Sequence, residues 1–115
     1  MGGENFEQLE WGKTAEGAFN RAVIKAQYNY GHAGYTGTIA EKIGFTVIPL
    51  PEHKAPLDLA REMMSKSDER IDDKWGPAGC IEIPKELEEE LAKAEGLRGK
   101  KPEEKLYLFF GWASS

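Results

Sequence analysis

Apolar residues at positions 15, 18, 19, 22, 23, 26 and 30 recur at spacings of three and four, the period of an amphipathic helix. Thr14, just before the run, is a good N-cap, and Gly31, just after it, is a natural stop. The pattern therefore predicts a helix over 15–30 with Phe19, Ala22, Val23 and Ala26 turned inward. Its small residues, Ala15, Ala18, Ala22 and Ala26, suit close packing on a sheet that contains "KLYLFF". Pro56 sits where a second helix opens, with Leu59, Ala60, Met63 and Met64 as its core face. Pro84 opens a third, "PKELEEELAKAEG", with Leu87, Leu91 and Ala94 inward and a possible i,i+4 pair between Glu89 and Lys93. Gly96 followed by Leu97 has the form of a Schellman ending.

Other segments change period. "NFEQLEW" alternates loosely and predicts a short first strand. "YTGTIAEKIGFTVIPL" is rich in β-branched and aromatic residues, and predicts two strands, about 36–42 and 45–49, closed by Pro49 and Pro51. "CIEI" at 80–83 is a short strand, and "KLYLFFGWA" the last. In that last strand Leu106, Leu108 and Phe110 face one way, Tyr107 and Phe109 the other. Apolar residues on both faces suit a central strand, or an edge strand covered by a helix. The order β-α-β-β-α-β-α-β implies class α+β: one sheet of four to five strands packed with about three helices, in a single domain over 1–115.

Bulk composition narrows the function classes. A net charge of −5 argues against a nucleic-acid groove, which needs clustered lysine and arginine. The one local basic cluster, "LRGKK" at 97–101, is followed at once by "PEE" and is expected to be a solvated turn. No apolar run approaches the ~20 residues of a membrane span. "MGGENFEQLEW" has neither the basic nor the apolar region of a secretory signal, and the single cysteine, Cys80, has no internal partner. A cytoplasmic setting is the expectation.

Candidate chemistry gathers in two stretches. "YNYGHAGYTGTIAEK" offers the rings and hydroxyls of Tyr28 and Tyr35, the hydroxyls of Thr36 and Thr38, the imidazole of His32, and glycines at 34 and 37 that let backbone N–H groups approach a ligand. "DDKWGPAGC" adds Lys74 and Trp75. Together Tyr28, His32, Tyr35, Thr36, Thr38, Lys74 and Trp75 form a candidate binding set for a small anionic, nucleotide-like ligand or for a protein partner. The bland alternative is that glycines end helices, threonines fill strands and Trp75 wedges into the core. Neither the Walker pattern nor GxGxxG is present. Cys80 with His32 resembles a nucleophile and its base, but has no elbow or third member, and Cys80 heads an apolar strand where a buried thiol is expected. One cysteine and two scattered histidines offer no metal-ligand spacing, and no cofactor is implied.

"GHAGYTGTIAEK", "DDKWGPAGC" and "FFGWASS" resemble segments of small uncharacterised proteins of bacteria and of the phages and mobile elements they carry. The likeness spans roughly 12–48, 70–82 and 106–115. It implies a prokaryotic intracellular setting and a phage-type accessory role, such as binding a host protein or a signalling nucleotide. It carries no catalytic or binding residue with it. A binding module is the leading expectation. An enzyme acting on a phosphorylated or nucleotide substrate through His32 and Asp72 or Asp73 is the alternative. A structural or assembly homodimer, paired through the apolar last strand, is the third.

Overall fold

The computed structural model describes residues 2–32 and 34–115. Four strands form one mixed sheet in the order β1-β4-β3-β2, with β1 Gly3–Gly12, β2 Phe45–Val47, β3 Ala78–Glu82 and β4 Lys105–Ser114. β4 runs antiparallel to both β1 and β3, whereas β2 and β3 are parallel. Helix α1 (Ala15–Tyr30) covers one face of this sheet, and α2 (Pro56–Ser65) and α3 (Lys85–Ala94) cover the other. The α+β class and the expected helices are thus present.

Alternation along β4 generates both cores. Leu106, Leu108 and Phe110 pack with Met63, Met64, Ile81 and Ala92 on the α2/α3 side. Tyr107 and Phe109 pack with Phe6, Phe19, Ala22 and Ala26 on the α1 side. The Phe19 ring lies 5.6 Å from that of Phe109 and 5.3 Å from that of Phe45. β4 pairs with β1 along its whole length and with β3 over 107–110, so it is a central strand of the sheet. The close fit has a cost in allowed residues: a Cβ built on Gly79 would stand 2.5 Å from the Phe110 ring.

Local signals hold where they are stereochemical. The Thr14 hydroxyl accepts from Gly17 N at 3.0 Å, and Gly31 N donates back to Gln27 O at 2.8 Å. At the end of α3, Gly96 N reaches Lys93 O and Leu97 N reaches Ala92 O, with Gly96 at φ +70°. That is the Schellman pair of bonds, and the left-handed φ is why glycine stands there. The Glu89–Lys93 pair is not among the ion pairs of the described residues.

One expected element is absent. Residues 36–42 are not a strand. They form a turn with a 3₁₀ segment at Ile39–Glu41, and only 45–47 join the sheet. The physical reason lies in the threonines. Thr38 Oγ1 accepts from Ala40 N at 3.1 Å, and Thr36 Oγ1 donates to Glu41 Oε2 at 2.6 Å. These side-chain bonds offer the backbone an alternative to a ladder. Meanwhile Gly37 N donates to Ser114 O at 2.8 Å, so the turn itself occupies the flank of β4 beyond the end of β3.

Candidate functional site

The two stretches singled out by sequence adjoin in space, and one side chain joins them. Lys42 follows the 3₁₀ segment, and its residue is only 3% exposed. Its Nζ donates to the carbonyls of Asp73, Lys74 and Gly76 at 3.2, 3.3 and 3.0 Å. An ammonium has three protons, and all three are used. Burial lowers the Lys42 pKa from its ordinary value, and the Asp73 carboxylate acts in the opposite sense. Within the loop, Asp73 Oδ1 accepts from Trp75 N at 2.8 Å and Asp73 O accepts from Gly76 N at 2.8 Å. The loop is therefore fixed from inside, leaving its outer side chains free to present a surface.

Tyr35 and Trp75 form that surface. Their rings meet edge to face at 6.2 Å, with 85° between planes. Tyr35 reaches this position through a left-handed φ of 58°. Lys74 Nζ stands 5.7 Å from the centre of the Trp75 ring and also donates to Gly2 O at 3.3 Å. Both rings are exposed, with Trp75 59% accessible, so the tryptophan does not wedge into the core. Two aliphatic residues farther along the chain are also exposed: Ile43 at 96%, directly after Lys42, and Val47 at 62% on β2. Among the described residues, the exposed large apolar and aromatic side chains lie between positions 24 and 75, and none is on α2 or α3.

The backbone beside this surface is open. Ala78 N donates to Gly44 O at 3.0 Å and Ile48 N donates to Cys80 O at 2.8 Å. With Phe45 opposite Ala78 and Val47 opposite Cys80, the parallel ladder uses positions 44, 46 and 48. The N–H and C=O groups of Phe45 and Val47 therefore point away from the sheet. No loop, turn or side-chain hydrogen bond among the described residues engages them.

The opposite edge is treated differently. Leu106 directs its backbone groups toward β3 and the Glu88 side chain, so its partner Trp11 directs its own outward. Both are then covered: Trp11 N donates to Glu10 Oε2 at 3.0 Å, and Trp11 O accepts from Arg21 at 2.8 Å. Farther along, Glu7 holds Arg61 through two bonds at 2.9 and 3.1 Å. Capping and charge of this kind are how edge strands are blunted. β2 is short and is followed by Pro49, but it carries no such charges.

Of the seven residues expected from sequence, Tyr35, Lys74 and Trp75 come together. Thr36 and Thr38 stand beside them, but their hydroxyls are committed to each other, to Glu41 and to Ala40 N. Their own open cavity, about 370 Å³, is also lined by Tyr30 and by Glu4 to Gln8 of β1, with Glu4 and Glu7 bringing negative charge. Tyr28 projects into solvent from α1 and is 88% exposed, and His32 is exposed in the turn. Ala33 of that turn lies outside the described residues.

Cys80 is buried on the α1 side, and burial, with a smaller contribution from Glu82, pushes its thiol up to about 12. A thiol held protonated is no nucleophile near neutral pH. Among the described residues no group of three or more His, Cys, Asp or Glu is placed to hold a metal ion. No helix of these residues is long and apolar enough to cross a membrane.

Compared with models of known families, with curated proteins and with solved structures, the chain matches none.

Lys42 is the residue that sequence reasoning passed over. Its signal was a cation next to Glu41 in the run "TIAEKIGF", where a buried charge must be paired or hydrogen-bonded.

Proposed function

We propose that this protein is a non-enzymatic binding module that captures an extended segment of another polypeptide along β2. The observation that carries it is the unpaired strand edge at Phe45 and Val47, in a chain whose exposed Tyr35 and Trp75 rings meet in the loops that lead into β2 and β3. A guest strand takes its affinity from main-chain hydrogen bonds to the edge, and its specificity from apolar side chains at alternate positions. Tyrosine and tryptophan supply rigid contact area at low entropic cost. In the phage-type accessory role implied by the sequence resemblance, the captured strand belongs to a host protein.

A small nucleotide-like anion is the weaker reading of the same surface. Lys74 is already engaged with the Trp75 ring and Gly2 O, and the threonine hydroxyls face a cavity lined by glutamates.

Selection of random peptides against the folded protein tests the proposal. Selected peptides are expected to carry apolar residues at every second position and to protect the Val47 amide from hydrogen exchange. Val47→Pro removes an outward N–H that the ladder does not use, so the fold should tolerate it. It and Trp75→Ala are each expected to weaken binding about tenfold or more, the scale of a lost anchor residue. Peptides that bind equally to both variants, or that leave the Val47 amide unprotected, overturn the reading.

A further inference from the structure

On the other face of the molecule, a cleft of about 490 Å³ runs between α3 and the loop at 97–100. Its floor is the half-buried Leu97, with the buried Trp11 and Ala92 beneath, and its rim comes from Lys85, Lys93, Arg98 and Lys100. We propose that this cleft binds a small amphipathic anion, with a flat or short apolar body seated on Leu97 and the aliphatic stems of Lys85 and Lys93, above the buried Trp11 and Ala92, and a carboxylate, sulfonate or phosphate group held by the lysine ammonium groups.

The sequence pattern of α3 builds one wall. Positions 85, 88, 89, 92 and 93 share a face of the helix, so Lys85 and Lys93 stand about 12 Å apart along it. The Schellman ending then folds the chain back, and the following loop forms the second wall. That wall is anchored: Trp11 Nε1 donates to Arg98 O at 2.9 Å, and Arg98 donates to both oxygens of the buried Glu104 at 2.8 and 2.9 Å. Lys100 is tied to Glu88 at 3.1 Å. The "LRGKK" cluster is thus the fixed wall of a cleft rather than a free solvated turn.

Charge decides the class of ligand. Arg98 and Lys100 spend their charge on Glu104 and Glu88. Lys85 and Lys93 have no ion-pair partner among the described residues, and of the lining carboxylates only Glu89 is left to oppose them. In a chain of net charge −5, this is a local positive site. Lys85 is also badly placed for stability. It is the first residue of α3, where the helix dipole disfavours a cation. A cation that costs helix stability and pairs with nothing, on the rim of an apolar cleft, fits a ligand-binding role. A volume near 490 Å³ lies within the range of small-molecule sites.

The test uses anilinonaphthalene sulfonate and its uncharged analogue N-phenyl-1-naphthylamine as probes, titrated into the folded protein and followed by fluorescence and by amide and indole NMR shifts. The sulfonate is expected to saturate one site and to shift the Trp11 indole N–H, Ala92, Leu97 and Gly99. The double variant Lys85→Glu, Lys93→Glu is expected to weaken the sulfonate about tenfold or more, since attraction becomes repulsion. It should leave the neutral analogue unchanged; because a glutamate at position 85 suits the helix start and one at position 93 opposes its last turn, a native amide spectrum, rather than an unchanged melting temperature, shows that the variant is folded. No saturable sulfonate binding up to millimolar probe, shifts mapping to another surface, or undiminished sulfonate binding by the double variant each overturns the proposal.

Discussion

Lys42 Nζ lies 3.0 Å from the carbonyl oxygen of Gly76, across 34 residues of chain, and that bond and its two neighbours fix the position of Trp75. Lys42→Met keeps much of the apolar stem but leaves three carbonyls without their donor. We expect a loss of about 1–3 kcal/mol, the cost of unsatisfied buried groups. Faster hydrogen exchange at Gly76 N–H and a changed Trp75 emission should accompany it. A variant with wild-type stability and an unaltered loop would show that the ammonium positions nothing.

Glu104 should make the protein acid-sensitive. Two arginines and Lys101 N bond its carboxylate, and the Arg98 bonds chiefly hold its pKa down at about 2, from an ordinary 4.5. A depressed carboxyl contributes stability that is fully present above about pH 4.5 and is lost as pH falls toward 2. Glu104→Gln is expected to cost on the order of 2 kcal/mol at pH 7 and little at the acid end of that window. Urea melts at both ends check it. An equal loss at both would assign Glu104 a packing role only.

Cys80 should resist thiol reagents in the native protein and react once it unfolds. Its thiol is raised from 9.0 to about 12, so only the unfolded state ionises between these values. Stability from this group is therefore present below pH 9 and declines as pH rises toward 12. Cys80→Ala should flatten that alkaline decline, although it also costs packing. Rapid stoichiometric labelling of the folded protein would contradict the burial.

Phe19→Ala removes a ring that touches both Phe45 and Phe109. The expected loss is about 3–5 kcal/mol, the usual range for a buried phenylalanine. Equilibrium unfolding measures it. A loss below about 1 kcal/mol would mean that α1 does not depend on this contact.

The helices were legible because their signals are local. The apolar stripe of 15–30, the Thr14 cap and the Gly96–Leu97 ending each depend on residues within a turn of one another. Apolar residues on both faces made β4 legible as a central strand or a helix-covered edge strand, and its pairing with both β1 and β3 decides for the first. Residues 36–42 were misread because Thr36, Thr38 and Ile39 have strand propensity, whereas the outcome was decided by hydroxyl bonds to Glu41 and Ala40. The grouping of Tyr35 with Lys74 and Trp75 was suggested by residue type, and the structure brings these three together. Strand order, the open edge of β2 and the anchoring role of Lys42 depend on partners distant in sequence, which no local pattern records.

The pairing of β1 with β4 has a consequence for how the chain is made. Ten ladder pairs join residues 3–12 to residues 105–114. At translation speeds of roughly 5–20 residues per second, β1 waits several seconds on the ribosome before its only ladder partner exists. Until β4 emerges, neither face of the sheet has its central row of side chains, and α1 carries its alanine and phenylalanine stripe uncovered. Assembly is therefore late and concerted, and a nascent chain stalled before residue 105 offers chaperones and proteases an extended apolar target rather than a half-built domain.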